Sequence, residues 1–327
     1  MKFNLFFINI ILSALCFGAT GASAEGLEFN DSGELKIVQI TDTHYKTGKK
    51  ASRTATRCIA SVLDAENPDL VVLTGDLLYS DRGIEAIDSV MAPIIVRGLP
   101  FAFVFGNHDT QFDLSYPEFY DYISALPGSI MPPRGDAESP DYVVTVGAAK
   151  DSTEAAAALY FLDSHRGSKL KRTGKYDWLK QEQILWYKAA SDSLGRMPAL
   201  MFLHIPLPET AYADASAKTS IIGTMGEKVC SPDLNSGMFC AIKEQGDVKG
   251  VFFGHDHDND FAAAYYDVLL AYGRYSGGKT VYNHIGTPGA RVIVLQRDDP
   301  SIRTWLRLAD GTVIHDITFL DGRIISN

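Results

Sequence analysis

Cysteine and basic side chains are both scarce in this 327-residue chain. It has four cysteines, and its 30 Lys and Arg residues face 40 Asp and Glu residues, which gives a formal net charge of −10. A chain with this charge is not expected to bind nucleic acid through bulk electrostatics. Internal repeats and low-complexity tracts are also lacking, which excludes a repeat architecture.

An apolar run near the N-terminus is too short for a comfortable transmembrane helix. Lys2 precedes this run over residues 5–15, and Ala22-Ser23-Ala24 follows it. The order is typical of a secretory signal peptide over residues 1–24, with an uncleaved anchor as the alternative. We therefore predict an exported protein, periplasmic or secreted. Its remaining 303 residues (327 − 24) should form a single domain over residues 25–327 with no membrane span.

The three cysteines beyond residue 24 are not expected to bind metal. Cys58 lies on the apolar face of a predicted helix, which favours a buried core thiol. Cys230 and Cys240 lie in a loop-like segment of a chain expected to be exported, so we predict a disulfide between them.

The first hundred residues after the leader alternate between strand and helix patterns. Strands are predicted over 34–41, 70–74 and 101–105, and the first two are separated by a helix over 53–66. A second helix carries Ile84, Ile87 and Met91 on its apolar face and should stop near Pro93. These are βαβ steps, in which reactive groups collect at the carboxyl ends of the strands.

The rest of the chain adds more strands than helices. Residues 110–157 read as an elaborated loop with one short helix near Tyr116, residues 177–193 as a helix capped by Asp177, and residues 207–247 as a long polar connection. The predicted strands are 142–146, 158–162, 199–203, 248–253, 268–272, 280–283, 290–296, 304–307 and 312–319. Two strand-rich halves predict an α/β fold, a four-layer αββα sandwich of two mixed sheets flanked by helices.

Polar groups follow the apolar runs at five places. The five segments are Asp42-Thr43-His44, Gly75-Asp76, Gly106-Asn107-His108-Asp109, His204 and Gly254-His255-Asp256-His257. Alternation along an extended chain puts residues i and i+2 on one side, so Asp42 and His44 can face one point. The pattern predicts a metal site assembled from strand ends.

The order of these motifs resembles the calcineurin-like metallophosphoesterases. Asn235-Ser236-Gly237 and Gly289-Ala290-Arg291 add a resemblance to a branch of small purple-acid-phosphatase-like enzymes. The resemblance implies that Asp76 bridges two metal ions. It assigns the other ligands as Asp42, His44 and His257 for one ion, and Asn107, His204 and His255 for the other.

Such a centre has a clear chemistry. Two cations about 3.5–4 Å apart can hold a bridging hydroxide and clamp a phosphoryl oxygen, and mixed nitrogen and oxygen ligands suit Fe, Mn or Zn. His108 is left free to protonate the leaving oxygen or stabilise charge, and Asp109 could orient it. Arg274 could contact phosphate, with an ordinary structural pairing as the alternative.

The leading function is hydrolysis of phosphomonoesters, on a small phosphorylated substrate or a phosphoprotein. A phosphodiesterase acting on a cyclic nucleotide or a phospholipid head group is the enzymatic alternative. A non-catalytic metal- or phosphate-binding protein is the other. Substrate, metal identity and oligomeric state stay open.

Tyr79 marks a departure from the purple acid phosphatases. Gly75-Asp76-Leu77-Leu78-Tyr79 matches the pattern in which those enzymes use the tyrosine to bind ferric iron, yet they have glycine where this chain has His44. If His44 takes that coordination position, Tyr79 becomes a packing or substrate-side residue. We therefore predict that the protein is not a purple ferric enzyme.

Overall fold

A computed structural model describes residues 27–215 and 220–327. The predicted signal peptide lies outside these residues. Within them, no helix is long and apolar enough to cross a membrane.

Three parallel strands with helices between them begin the fold, as the βαβ pattern predicted. The elements are β1 (Glu34–Ile40), α1 (Arg53–Glu66), β2 (Leu70–Leu73), α2 (Gly83–Ile95) and β3 (Phe101–Phe103). α1 buries its stripe of Ala55, Ile59 and Leu63 and ends where Asn67, at φ 45°, donates its N–H to the Leu63 carbonyl. Pro68 follows and cannot extend the helix.

The first sheet has seven strands. Four of its strands come from the C-terminal part of the chain: β11 (Gly289–Gln296), β12 (Asp299–Leu308), β13 (Val313–Leu320) and β14 (Arg323–Ser326). β1 pairs in parallel with β2 and, on its other side, antiparallel with β11. The strand order is β14-β13-β12-β11-β1-β2-β3.

The second sheet also has seven strands: β4 (Tyr142–Gly147), β5 (Ala155–Phe161), β6 (Ala199–Phe202), β7 (Ile221–Ile222), β8 (Val248–Phe253), β9 (Ala262–Tyr265) and β10 (Val268–Tyr272). Their order is β4-β5-β6-β8-β10-β9-β7. The neighbouring strands β5, β6, β8 and β10 are parallel. The remaining helices are α3 (Tyr116–Ser124), α4 (Gln181–Ser193), α5 (Glu209–Ala215) and α6 (Met238–Gln245).

Two clusters of buried side chains hold the layers together. One joins the facing surfaces of both sheets and continues under α1 and α2, and the other lies between the second sheet and helices α4 and α6. In the first, Tyr142, Phe161, Phe202 and Phe252 stack in a row across four strands, with ring centroids 4.7, 5.3 and 5.6 Å apart. Burying each such ring contributes about 1.5–3 kcal/mol. The predicted αββα sandwich is confirmed.

Arg291 ties the two sheets together next to the histidine motif. It lies fully buried in β11 and donates to the Tyr272 carbonyl of the other sheet, to the Asp260 carbonyl at 2.7 Å and to Thr304 Oγ1 at 3.1 Å. Burial lowers the pKa of its guanidinium to about 10. The motif around Arg291 therefore fixes the segment that leads from His257 into β9.

Several predicted boundaries are wrong. α4 begins at Gln181, because Asp177 binds the Lys180 ammonium and the Gln183 side chain accepts the Lys180 N–H at 2.7 Å. α2 continues past Pro93 to Ile95. The polar connection over 207–247 contains α5, β7 and α6 within its described part, and β9 and β14 were not predicted.

Residues 280–283 are not a strand. Their polar atoms serve the loops that follow the strands instead, since Thr280 Oγ1 donates to the His44 carbonyl at 2.8 Å and the Tyr282 carbonyl lies 2.9 Å from His257 Nδ1. The segment therefore contacts these loops instead of pairing in a sheet.

Candidate metal centre

The five polar segments come together because the strands before them are parallel. β1, β2 and β3 end at one edge of the first sheet, and β6 and β8 end at the same edge of the second. Carboxyl ends of parallel strands meet at one edge. The prediction that strand ends build one site therefore follows from the topology.

Asp42, His44 and His257 form one group of potential metal ligands, and all three are buried. His44 Nε2 lies 2.9 Å from His257 Nε2, and each of these nitrogens lies within 3.7 Å of Asp42 Oδ1. Two imidazole nitrogens and a carboxylate oxygen thus face one point.

Asp76, His204 and His255 form the second group, also buried. His204 Nε2 lies 3.2 Å from Asp76 Oδ2 and 3.3 Å from His255 Nδ1. Asn107 belongs with them, because its Oδ1 lies 3.2 Å from the same His204 nitrogen. The structure brings these four side chains together as the resemblance implied.

Asp76 lies between the two groups. Its Oδ2 is 3.2 Å from His204 Nε2 in one group and 3.6 Å from His44 Nε2 in the other. Its Oδ1 accepts the backbone N–H of His108 at 2.7 Å. One carboxylate oxygen is therefore directed at both groups while the other holds the carboxylate in place.

Backbone carbonyls fix two of the imidazoles. His204 Nδ1 lies 2.8 Å from the Thr74 carbonyl, and His257 Nδ1 lies 2.9 Å from the Tyr282 carbonyl. A carbonyl only accepts, so each Nδ1 carries a hydrogen and each Nε2 faces the cluster. Partners of this kind orient histidine ligands in metal proteins.

Metal ions fit the donors present. Asp42 Oδ1 is buried and has no hydrogen-bond partner among the described residues, whereas Asp42 Oδ2 accepts from Thr41 Oγ1 and the His255 N–H. A buried carboxylate oxygen without a partner is costly unless a cation binds it. All donors are nitrogen or oxygen, a set that suits Fe, Mn or Zn.

Burial and neighbouring charges shift the pKa values of the ligand side chains, in opposite directions for Asp42 and His204. Burial alone would raise the pKa of Asp42, but the imidazoles of His44, His204 and His257 bring it down to about 2. Burial lowers the pKa of His255 to about 3 and that of His257 to about 4. For His204 the charge of Asp76 outweighs burial and raises the pKa to about 10.

The ligand loops have strained backbones. Asp42, His44, Asp76 and His255 have φ of 54°, 40°, 52° and 81°, in the left-handed region that favours glycine. A Cβ on Gly75 would lie 2.4 Å from the backbone nitrogen of Gly106, so these two loops touch through their backbones. Strain of this kind concentrates at functional sites.

Asp109 does not orient the His108 ring; its side chain instead binds the backbones of two loops. Its carboxylate accepts N–H groups from Gly106 at 2.7 Å, Asp76 at 2.9 Å, Leu77 at 2.7 Å and Leu78 at 3.2 Å. The His108 ring is oriented by another residue. This buried carboxylate fastens the loop after β2 to the loop after β3, and so positions Asp76 relative to Asn107.

Gln111 is the partner of His108 that sequence reasoning missed. Its Oε1 lies 2.7 Å from His108 Nδ1, and its backbone N–H donates to the His108 carbonyl at 3.1 Å. The amide oxygen accepts, so Nδ1 carries a hydrogen and Nε2 is the nitrogen available to a substrate. The spacing of three residues in a turn was the only available signal.

Arg274 has a structural role: its guanidinium binds other protein groups and is not available to a phosphate. It is buried, forms an ion pair with Asp260, and donates to the carbonyls of Ile285 and Thr287. These three partners occupy its donors, so we do not assign it to the substrate.

Tyr79 lies beside the centre. Its ring centroid is 6.2 Å from that of His44 and 6.0 Å from that of His108, with the rings edge to face. Its role as a packing or substrate-side residue stays a prediction.

The predicted disulfide is wrong, because both cysteines are free thiols. Cys230 donates its N–H to Asp256 at 3.0 Å, whereas Cys240 is exposed on α6. The helix was not foreseen, so the two cysteines looked like neighbours in one loop. Cys58 is buried as predicted.

Comparison with known proteins agrees with the geometry. A family model described as calcineurin-like phosphoesterase matches residues 35–259. The chain is 32% identical to a protein of Arabidopsis thaliana named probable inactive purple acid phosphatase 14, over 93% of this chain and 89% of the relative. It is 31% identical to phosphatase DCR2 of Saccharomyces cerevisiae, over 87% of this chain and 55% of that protein.

Solved structures share the fold at low sequence identity. A dimetal phosphatase from Danio rerio superposes with a TM-score of 0.61 at 15% identity, covering 87% of this chain and 98% of that one. The purple acid phosphatase PPD1 of yellow lupin gives 0.58 at 14% identity, covering 88% of this chain and 54% of that one. The chain belongs to the calcineurin-like phosphoesterase family.

Proposed function

We propose that this protein is an active phosphatase that hydrolyses phosphomonoesters with two metal ions. The observation that carries the proposal is the pair of buried ligand groups with Asp76 Oδ2 directed at both. Beside them, His108 has an imidazole that is not part of either group. A binding protein would not need that free imidazole.

Two roles can be assigned to the residues of the site: binding of the metal ions and proton transfer. When bound, two cations supply Lewis acidity for phosphoryl oxygens and lower the pKa of water. Asp42, His44 and His257 would hold one, Asn107, His204 and His255 the other, and Asp76 both. His108, steadied by Gln111 through Nδ1, delivers a proton from Nε2 to the leaving oxygen or offsets the charge that develops there.

The names of the compared proteins bear on whether this protein is active. All four proteins compared above have names that include the word phosphatase, but the name of the Arabidopsis thaliana relative also includes the words probable inactive. The complete ligand set of this chain supports activity here. We also propose that the protein is exported, on the composition of residues 1–24. The match of one family model to residues 35–259 supports our proposal that residues 25–327 form a single domain.

Turnover of a matched pair of esters tests the proposal. Phenyl phosphate and diphenyl phosphate share a leaving group and differ in the number of ester bonds, and each is assayed with added Mn, Zn or Fe. We expect faster hydrolysis of the monoester and loss of turnover with a chelator. Faster hydrolysis of the diester would instead indicate a phosphodiesterase. Two bound metals without turnover on either ester would indicate a binding protein.

A further inference from the structure

A basic hairpin, residues 166–177, lies between β5 and α4. Gly167 pairs antiparallel with Tyr176. The Asp177 N–H donates to the Arg166 carbonyl at 2.7 Å, and the Ser168 N–H donates to the Lys175 carbonyl at 3.1 Å. The segment is thus an ordered projection whose two ends lie side by side.

One end of the basic hairpin contacts a metal-ligand residue, and the other end contacts the loop that carries His108. Arg166 Nη1 donates to Thr110 Oγ1 at 3.0 Å, and Thr110 is two residues from His108. At the other end, the Tyr176 ring lies 4.6 Å from the His255 ring, edge to face. The hairpin therefore projects from the rim of the site.

Its charge is opposite to that of the protein. Five of the twelve residues 166–177 are Lys or Arg and only Asp177 is acidic, in a chain of net charge −10. Lys171 and Arg172 at the tip are exposed and form no ion pair with a described residue. Lys169 shares a cavity with Glu138 and Asp163, and Asp233 lies against Gly174, so the unbalanced charge is at the tip.

A second basic stretch lies on the other side of the centre. Residues 46–57 contain five Lys or Arg residues and no acid. Lys46 Nζ lies 5.3 Å over the Tyr79 ring, which itself lies 6.0 Å from the His108 ring. An anionic substrate is therefore attracted to the centre from two sides, although the protein as a whole repels it.

We propose that the tip of the basic hairpin binds acidic residues of a phosphopeptide whose phosphorylated side chain occupies the metal centre. The proposal rests on the proposed function. Four to five residues separate Tyr176 from the tip, and because they form turns and bends they span less than the roughly 13–16 Å of an extended chain. A peptide that continues on both sides of its phosphorylated residue can place further side chains along such a distance. Leu170, 62% exposed beside the tip, adds an apolar contact that a peptide can use.

Two labelled peptides that carry a non-hydrolysable phosphonate analogue of phosphoserine test the proposal, because an active phosphatase would hydrolyse phosphoserine itself. They differ only in whether the residues flanking this analogue are Glu or Gln, and their binding to the metal-loaded protein is measured by fluorescence anisotropy. We expect the acidic peptide to bind about threefold to twentyfold more tightly at low salt. The preference should shrink as salt shortens the Debye length. It should disappear in Lys171→Glu/Arg172→Glu.

The matched control is Lys150→Glu/Lys249→Glu. These two lysines lie in the turn before β5 and near the start of β8, at the edge of the sheet opposite the metal centre. The control should keep the preference. Equal binding of both peptides by the wild-type protein would overturn the proposal, as would an equal loss in both double variants.

Binding and turnover separate the two proposals. Hydrolysis of phenyl phosphate reports the metal centre alone, because this ester does not reach the tip. Selective binding of the acidic peptide without turnover of phenyl phosphate would reject the enzymatic function and keep the hairpin. Turnover of phenyl phosphate without selective binding of the acidic peptide would support the enzymatic function and reject the role of the hairpin. A preference for inositol polyphosphates over the acidic peptide would assign the hairpin to small polyanions and overturn the peptide proposal.

Discussion

Asp76→Asn is expected to lower kcat/KM for phenyl phosphate by at least about a hundredfold and to reduce the bound metal below two ions. The substitution keeps the shape of the side chain and an oxygen that can accept the His108 N–H. It removes the negative charge directed at both ligand groups, 3.2 Å from His204 and 3.6 Å from His44. Since loss of an outer-shell partner alone costs about 10–100-fold, loss of a shared ligand should cost at least the upper value.

Asp113→Asn is the matched control. Its carboxylate accepts the Gly83 N–H at the start of α2 and belongs to neither ligand group. The control should keep its metals and its turnover. Metal analysis and steady-state kinetics on both variants provide the comparison. Two tightly bound metals and wild-type turnover in Asp76→Asn would contradict the shared-ligand assignment.

His108→Ala is expected to keep both metals and to lose about 10²–10⁴-fold in kcat. The loss should be larger for an alkyl phosphate than for phenyl phosphate, because a poor leaving group needs the proton more. Neither ligand group contains the His108 ring, so metal content should not change. Metal analysis and kinetics on the two esters measure both effects.

Gln111→Ala supplies a graded comparison. It removes the acceptor 2.7 Å from His108 Nδ1 but leaves the ring in place. We expect a smaller loss with the same dependence on the leaving group. Equal losses on both esters in His108→Ala would argue against proton donation and leave charge stabilisation as the role of the ring.

The sequence was most informative where one physical cause decides the structure. The apolar stripe of α1 and its stop at Asn67-Pro68 predict a helix over 53–66, and the structure has the same bounds. The apolar runs of β8 and β10 were also placed correctly. The ligand groups follow from the same logic, because parallel strands carry their polar ends to one edge.

The sequence did not predict elements and side-chain roles that depend on contacts between distant parts of the chain. β9 is an alanine-rich segment, Ala262–Tyr265, with little strand propensity of its own, and it forms by pairing with β10. The role of Asp109 depends on four N–H groups from two loops, and no local pattern encodes that geometry. α6 is only eight residues long and lies between two glycines, so its periodicity was hidden in a polar segment.

Anomalous diffraction from crystals loaded with Mn²⁺ tests the central claim most directly. The claim is that two cations bind at adjacent groups that share Asp76. We predict two anomalous peaks, one among Asp42, His44 and His257 and the other among Asn107, His204 and His255, with the Asp76 carboxylate touching both. A single peak, or a second peak away from these side chains, would contradict it.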